Sequence, residues 1–287
     1  MPDPILTAVV CTHNRPTDLA RCLKALAGLR PQVDVVVVDS ASDPPCAKVV
    51  ESSAASLARL KYVYEPSPGL SRARNAGLRA ATTELVAFVD DDAVVAADWG
   101  RLIVTPFTDE TVACVGGSCV PAFAAARPGW LSDRLLQYAG ITRFRTAGEA
   151  RDTRDYPFGA NVAFRREPLL RVGGFPERLG RTAQTLLSGE ESYAIDRLRE
   201  SGLRVWLEPS AVVAHTVAPD RCTSAYYWRR LWWQGVTRAR ATPSPRLTLR
   251  LLAALPLRLV LWVITRDRVH LYRAAETTGY VHELLAR

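Results

Sequence analysis

Residues 85–92 read LVAFVDDD, an apolar run that ends in three consecutive aspartates. A short apolar run of this kind predicts a buried strand. Three adjacent carboxylates repel one another unless a cation lies among them, and carboxylate oxygens are preferred ligands of Mg²⁺ that suit Mn²⁺ as well. We therefore predict Mg²⁺ or Mn²⁺ at Asp90, Asp91 and Asp92. The alternative is that these aspartates form a turn or cap a helix.

Strand and helix signals alternate through the first hundred residues. Apolar runs at 5–11, 33–38 and 60–64 predict three more strands, and residues 70–81 predict a helix before the strand at 85–89. The run at 33–38 has no polar face, which is typical of a strand covered on both sides. This alternation predicts an α/β fold with a mainly parallel central sheet flanked by helices, whose ligands bind beyond the carboxyl ends of the strands.

Polar residues follow the predicted strands at that edge. Thr12, Asn14 and Arg15 follow the first strand, and a helix with Thr17 as its N-cap is predicted after them. Asp39 follows the second strand, where it either caps the next helix or contacts a base or ribose. These positions predict a polar crevice around the aspartates.

Five further residues are candidates for the same crevice. Arg74 and Asn75 lie on the helix before the aspartates, where they could bind phosphates or anchor acidic loops. Glu190 and Glu191 begin a later helix. Two neighbouring carboxylates repel each other, which raises the pKa of one of them and suits a general base. Two solvated first-turn glutamates are the alternative. His215 ends an apolar strand and is either a ligand or a structural histidine.

The periodicity weakens after residue 120. A turn at 157–161 leads into a predicted strand at 162–164, and two short strands are predicted at 205–207 and 211–214. From Thr216 on, aromatic and basic residues interleave.

The formal charge of +8 is concentrated at the C-terminal side. Residues 216–287 hold twelve arginines and four acidic residues, whereas residues 1–215 sum to zero. A nucleic-acid-binding domain usually builds its basic face into the fold, so we expect no nucleic-acid partner. The basic region suits an anionic membrane surface or an anionic ligand.

The apolar stretch at 247–264 is interrupted by two arginines and a proline. We expect an interfacial helix here rather than a membrane span, and a helix packed on the catalytic domain has equal weight. No signal peptide opens the sequence. The expected location is therefore cytoplasmic, with peripheral contact at the inner face of the cell membrane as an open alternative.

The ordered motifs resemble a family 2 glycosyltransferase over about residues 5–240. They are, in chain order, THNR (12–15), VDS (38–40), GLSRARNAG (69–77), FVDDD (88–92), GAN (159–161), GGF (173–175), GEE (189–191) and His215. The resemblance implies a GT-A fold, in which a nucleotide-binding half joins an acceptor-binding half. It also implies an inverting transfer from a nucleotide-diphosphate sugar.

The resemblance also implies a role for each matching residue. The residues expected at the donor are Thr12, Asn14, Arg15, Asp39, Arg74, Asn75, Asp90, Asp91, Arg229 and Arg230. Those expected at the metal are Asp92, Asp90 and His215, and those expected at the acceptor are Gly159, Asn161 and Glu190. The family's base is usually the aspartate of a Glu-Asp pair, and this position holds Glu191 here, with Glu190 as the second candidate.

We predict an inverting glycosyltransferase that moves a sugar, with UDP-hexose as the first expected donor, to an acceptor hydroxyl. The acceptor is expected to be a lipid-linked glycan or a small natural product. Residues 1–215 would form the catalytic domain, with a nucleotide-binding half at about 1–120 and an acceptor half at about 121–215. Residues 216–287 would form a basic, aromatic-rich helical region.

Three other classes compete with this prediction. A nucleotidyltransferase that forms sugar nucleotides would need a glycine-rich triphosphate loop, and residues 12–16 contain no glycine. A dehydrogenase would need a G-x-G-x-x-G turn after the first strand, which is absent. A non-catalytic module that binds a sugar nucleotide or a membrane remains open.

Overall fold

The computed structural model describes residues 5–57, 59–142, 144–182 and 184–286, and within them nine strands form one mixed sheet. The strands are β1 (Leu6–Thr12), β2 (Asp34–Ser40), β3 (Leu60–Glu65), β4 (Leu85–Asp90), β5 (Ala93–Val95), β6 (Val112–Phe123), β7 (Gly148–Glu149), β8 (Asn161–Arg165) and β9 (Arg204–Val217). The helices are α1 (Pro16–Ala27), α2 (Ala47–Ser53), α3 (Leu70–Ala80), α4 (Trp99–Val104), α5 (Asp133–Leu136), α6 (Arg166–Arg171), α7 (Glu190–Glu200), α8 (Ser224–Ala241), α9 (Pro245–Ala253), α10 (Leu255–Thr265) and α11 (Arg268–Leu285).

The first half of the sheet is parallel, in the order β3-β2-β1-β4. The register pairs Cys11 with Asp90 and Thr12 with Asp39. The polar residues that follow these strands therefore meet at one edge of the sheet. The sheet continues in antiparallel fashion through β8 and β6. The predicted α/β fold is confirmed, and the sheet is mixed because its second half pairs antiparallel.

The valines of β2 show why this strand lies in the middle of the fold. All seven residues of β2 are buried, and side chains alternate between the two faces of a strand. Val35 and Val37 pack in one apolar cluster and Val36 and Val38 in another. The uninterrupted valine run thus fills the core on both faces of the sheet.

Helix α3 lies very close to β1 because it carries a glycine at the contact. A Cβ atom added at Gly77 would lie 2.3 Å from Cγ1 of Val9. No larger residue fits without moving the helix. This close packing fixes α3, and with it Arg74, relative to the edge where the strands end.

Two local predictions were wrong. Helix α1 begins at Pro16 with Arg15 at its N-cap, rather than after Thr17, because proline is favoured at the first position of a helix. The two short strands predicted at 205–207 and 211–214 are one strand, β9. Its first half pairs with β7 and its second half with β5, so different neighbours hold the two ends.

The chain forms two compact units that are discontinuous in sequence. The first comprises the chain up to Ala122, Ile141–Arg178 and Glu190–Thr216. The second comprises Phe123–Gly140, Leu179–Gly189 and the chain from Val217 onward. The second unit therefore contains the C-terminal helices together with two segments that were predicted to belong to the acceptor half. The division into donor and acceptor halves remains a prediction.

The second unit is built on a close contact between α8 and α11. A Cβ atom at Gly235 would lie 1.9 Å from the carbonyl oxygen of Glu276, and one at Gly279 would lie 2.0 Å from that of Trp232. Two glycines thus let the backbones of these helices touch. Arg238 adds an ion pair with Glu276 at 2.8 Å.

One helical stretch among the described residues, Pro245–Thr265, has the length and apolar composition of a membrane-crossing helix. This stretch covers α9 and α10. Only 6% of its apolar window is buried within the protein.

Candidate active site

The pairing of β5 with β9 brings His215 to the aspartates. Asp90 ends β4 and Asp92 follows in the turn before β5. His215 lies opposite Ala93 in the β5–β9 register, and the backbone N–H of Thr216 donates to the carbonyl of Asp92 at 3.0 Å. One ligand atom from each of Asp90, Asp92 and His215 lies within 4.8 Å of the other two.

The imidazole of His215 faces both carboxylates. Its Nε2 lies 3.0 Å from Oδ1 of Asp92 and 3.7 Å from Oδ2 of Asp90. Burial alone would lower the pKa of His215, but the neighbouring carboxylates of Asp90 and Asp92 raise this pKa to about 9. Two carboxylates suit Mg²⁺ or Mn²⁺, and a neutral imidazole is a common metal ligand. The donor set fits such an ion, which would take the place of the proton on His215.

Asp91 points to other partners. Its Oδ2 accepts a hydrogen bond from Oγ1 of Thr12 at 2.8 Å, and Arg15 Nη1 lies 3.3 Å from its Oδ1. Burial raises the pKa of Asp91 to about 7, although the charge of Arg15 lowers it. Arg15 Nη1 also lies 2.8 Å from Oδ2 of Asp92. Asp91 therefore joins the end of β1 and the start of α1 to the turn between β4 and β5.

Arg74 connects Asp90, at the end of β4, to Glu190 and Glu191 at the start of α7. Its Nη1 lies 2.6 Å from Oε1 of Glu190 and 3.9 Å from Oε2 of Glu191, and its Nη2 lies 3.6 Å from Oδ1 of Asp90. Burial alone would raise the pKa of Asp90, but the nearby imidazole of His215 and the charge of Arg74 lower it below its ordinary value. One buried cation thus balances three carboxylates.

The two glutamates at the start of α7 differ in their surroundings. Glu190 is buried and bonded to Arg74. Glu191 is partly exposed, and its Oε1 accepts a hydrogen bond from the backbone N–H of Gly159 at 3.3 Å. Its Oε2 lies 3.9 Å from Nη1 of Arg74, beyond hydrogen-bonding distance. Glu191 therefore has more freedom to accept a proton than Glu190 has.

Asp39 is fully buried at the end of β2. Its carboxylate accepts hydrogen bonds from the backbone N–H of Ser42 at 3.0 Å, the backbone N–H of Cys46 at 2.6 Å and the hydroxyl of Tyr62 at 2.8 Å. Tyr62 was not predicted from the sequence, in which its only signal is its place on the strand next to β2. Asp39 holds the loop after β2, and its contact with a base or ribose remains a prediction.

Two asparagines of the motifs make extensive internal hydrogen bonds. Asn75 exchanges bonds with the backbone of Phe175, at 2.8 Å as donor and 2.9 Å as acceptor. Asn161 is fully buried; it accepts from Trp99 Nε1 at 2.9 Å and donates to two backbone carbonyls at 2.8 and 2.9 Å. These contacts fix neighbouring segments, and the expected donor and acceptor roles of Asn75 and Asn161 remain predictions.

The remaining predicted donor residues lie in two places. Asn14 follows β1 with a left-handed backbone (φ 56°), and its Oδ1 accepts a backbone hydrogen bond from the loop after β2 at 2.8 Å. Arg229 and Arg230 lie on α8 in the second unit. Arg229 is exposed, whereas buried Arg230 donates to Ser188 at 3.1 Å and to Gln234 at 3.0 Å. Their donor roles remain predictions.

Comparison with known proteins shows similarity to several glycosyltransferases. The sequence is 31% identical over 245 residues to the pre-mycofactocin glycosyltransferase of Mycobacterium tuberculosis (strain ATCC 25618 / H37Rv), which covers 84% of this chain and 48% of that protein. It is 25% identical over 238 residues to the glucosyl-dolichyl phosphate glucuronosyltransferase of Haloferax volcanii, covering 81% of this chain and 76% of that protein. The chain thus spans about half the length of the mycobacterial relative.

Among solved structures, the mannosyltransferase PcManGT from Pyrobaculum calidifontis, in complex with GDP-Man and Mn²⁺, superposes with a TM-score of 0.67 at 25% identity. The match covers 97% of this chain and 87% of that one. This likeness confirms the expected GT-A fold. The sequence pattern described as glycosyl transferase family 2 matches residues 7–173, more than half of the chain. The chain therefore belongs to glycosyl transferase family 2, as its motifs predicted.

Proposed function

We propose that the chain transfers a sugar from a nucleotide-diphosphate donor to an acceptor hydroxyl, with inversion at the anomeric carbon. The observation that carries this proposal is the link through Arg74, which lies 3.6 Å from Asp90 and 3.9 Å from Glu191. A cluster suited to a cation therefore lies one side chain away from a candidate base. Leaving-group stabilisation and proton removal are the two tasks that such a transfer requires.

The cation cluster would serve the donor. Asp90, Asp92 and His215 would hold Mg²⁺ or Mn²⁺, and the bound ion would neutralise the charge on the departing nucleoside diphosphate. Arg15, 2.8 Å from Asp92, would contact the same phosphates. The Pyrobaculum neighbour was solved with GDP-Man and Mn²⁺, which supports a metal-dependent donor site here.

Glu191 would act as the general base. Its side chain is partly exposed and lies 3.9 Å from Arg74, whereas Glu190 is buried and lies 2.6 Å from Arg74. Glu191 would take the proton from the acceptor hydroxyl while the hydroxyl oxygen attacks the anomeric carbon from the face opposite the diphosphate. An α-linked donor would then give a β-linked product.

The donor and acceptor are proposed as classes. UDP-hexose is the donor we expect, and GDP-mannose is the alternative suggested by the Pyrobaculum complex. The names of two relatives refer to pre-mycofactocin and to glucosyl-dolichyl phosphate, the second of which is a lipid-linked sugar. Both acceptor classes therefore remain candidates for a reaction that we place in the cytoplasm.

A thermal-shift screen with UDP-, GDP- and dTDP-sugars, each with and without Mn²⁺, tests the donor and the metal together. We expect UDP-hexoses to raise the Tm only when Mn²⁺ is present. Equal stabilisation without the ion would argue against the role of Asp92. An assay of sugar transfer to a hydroxyl acceptor, followed by NMR of the new linkage, tests the transfer reaction and its inversion at the anomeric carbon. A product that retains the donor's anomeric configuration would contradict inversion, and donor binding without transfer to any acceptor of either class would favour a non-catalytic module.

A further inference from the structure

Helix α10 turns an apolar face toward solvent. Its exposed apolar side chains share one side of the helix, given its 100° rotation per residue. They are Pro256, Leu257, Leu259, Val260, Val263 and Ile264. The exposed fractions are 59% for Leu257, 52% for Val260 and 71% for Ile264. A helix on the surface of a soluble domain normally shows the opposite arrangement, with polar residues outward.

The charged residue of α10 faces inward instead. Arg258 donates hydrogen bonds to the carbonyl oxygen of Arg273 at 2.8 Å and to Oγ1 of Thr277 at 2.7 Å, both on α11. These bonds fix the rotation of α10. The apolar face is therefore held outward by the packing of the helix.

Helix α9 extends the same surface and adds positive charge to it. Leu249 is 69% exposed and Leu252 is 44% exposed. Arg246 and Arg250 lie beside them on the exposed side of α9, and Arg266 follows the end of α10. None of these three arginines forms an ion pair with another described residue. Helices α9 and α10 therefore present an apolar surface with these three arginines at its margin.

Acidic residues are absent between Asp220 and Asp267, although Arg238 and Arg240 of this stretch pair with Glu276 and Glu283 on α11. From Arg221 to Arg266 there are nine arginines and no aspartate or glutamate. The surface that contacts this region must therefore tolerate or supply negative charge. A second copy of the same surface would bring arginines against arginines, which disfavours a symmetric dimer.

We propose that α9 and α10 bind in the plane of an anionic lipid bilayer. The exposed leucines, valines and isoleucine would enter the boundary of the acyl chains, and Arg246, Arg250 and Arg266 would contact lipid phosphates. This inference concerns membrane binding and is independent of the proposed transfer reaction.

In-plane binding fits the charges better than a membrane span does. The 21 residues of Pro245–Thr265 would reach about 30 Å as a helix, enough to cross the hydrocarbon core. A span would place Arg250 and Arg258 inside that core, each at a cost of roughly 2.5–3.5 kcal/mol. It would also break the two hydrogen bonds that tie Arg258 to α11.

Co-flotation of the whole chain with lipid vesicles tests the proposal. We expect binding to phosphatidylcholine vesicles that contain about one third phosphatidylglycerol, and much weaker binding to phosphatidylcholine alone. The variant Leu257→Gln/Val260→Gln/Ile264→Gln should bind the anionic vesicles about tenfold more weakly or worse. Unchanged binding by this variant, or no binding by the unmodified chain, would overturn the proposal.

The matched control changes three exposed apolar residues elsewhere: Ile5→Gln/Val120→Gln/Leu285→Gln. This control should bind as the unmodified chain does. An equal loss in both triple variants would show that total surface hydrophobicity, not this face, drives binding, and would overturn the assignment.

The charge contribution has its own pair of variants. Arg246→Glu/Arg250→Glu should weaken binding to anionic vesicles about tenfold or more. Arg79→Glu/Arg171→Glu makes the same change in net charge at two exposed arginines outside the region, and should leave binding within about twofold. An equal loss of vesicle binding in the two variants would show that only the net charge of the chain matters. It would contradict a specific role for the arginines of α9.

Extraction separates the two membrane arrangements. Alkaline carbonate should release the chain from vesicles, as expected for a helix that lies in the interface. Retention after carbonate would indicate a span and overturn the in-plane proposal. Sedimentation equilibrium without lipid provides the last check, because a dimer abolished by the Leu257→Gln/Val260→Gln/Ile264→Gln change, with no vesicle binding, would assign the face to a second copy.

Discussion

The guanidinium of Arg74 lies 2.6 Å from the carboxylate of Glu190, and both side chains are buried. The same guanidinium lies 3.6 Å from Asp90 and 3.9 Å from Glu191. One arginine on α3 therefore joins a predicted metal ligand to both candidate bases. The fold needs this cation, because without it several carboxylates would share one poorly solvated space.

Arg74→Met should lower the free energy of unfolding by about 3–5 kcal/mol, since it removes the buried cation that lies 2.6 Å from the carboxylate of Glu190. Urea denaturation at neutral pH measures the change. The double variant Arg74→Met/Glu190→Gln removes both charges and should recover at least half of the loss. A loss below about 1 kcal/mol in the single variant would mean that Arg74 carries little of the charge balance.

Glu191→Gln should lower kcat about a hundredfold or more, because general bases contribute roughly 10²–10⁴ to such rates. The Kd for the donor should change little, since the amide keeps the shape of the side chain. Glu200→Gln is the matched control, an exposed glutamate at the other end of α7, and should keep the unmodified kcat. Wild-type turnover by Glu191→Gln would transfer the role of base to another residue.

Asp92→Asn should weaken Mn²⁺ binding about tenfold or more, as should His215→Ala, because each removes one of three clustered ligand atoms. Isothermal titration with Mn²⁺ alone measures this without any sugar donor. Asp98→Asn changes an exposed aspartate nearby in sequence and should leave the Mn²⁺ Kd unchanged. Unaltered Mn²⁺ affinity in both site variants would exclude this cluster as the metal site.

The part of the site that the sequence predicted is the part formed by local patterns. Apolar runs predicted β1, β2, β3 and β4, and parallel strands bring their carboxyl ends to one edge, so Asp39 and Asp90 were expected there. The link from His215 to the aspartates depends on the register of β5 with β9, between residues more than a hundred positions apart. Resemblance to a family indicated His215, whereas strand periodicity alone left its role open.

Side-chain hydrogen bonds between distant segments could not be predicted from the sequence, for the same reason. Nothing local indicates that Asp39 accepts a hydrogen bond from Tyr62, or that the amide of Asn161 accepts one from Trp99. Both contacts arise only when separate segments pack together. Proline chemistry was also underestimated, since Pro16 rather than Thr17 sets the start of α1.

Asn161→Ala should lower the free energy of unfolding by about 3 kcal/mol, because two buried hydrogen bonds and one partly buried hydrogen bond are lost. Gln184→Ala, at an exposed amide, should change it by less than about 0.5 kcal/mol. The same preparations also test the expected acceptor contact. A raised KM for the acceptor with unchanged stability would assign Asn161 to the acceptor rather than to the scaffold.

Gly159→Ala should reduce kcat through Arg74. The added Cβ would lie 2.0 Å from Nη2 of Arg74, so the guanidinium must move while Glu190 and Asp90 hold it. A displacement near 1 Å at a reacting group can cost about a hundredfold in rate, and Glu191 would move as well because it accepts the Gly159 N–H. Gly129→Ala, where an added Cβ meets nothing within 4 Å, should keep the unmodified kcat. Full activity in Gly159→Ala would mean that the guanidinium can shift freely, and that Arg74 does not position the proposed base.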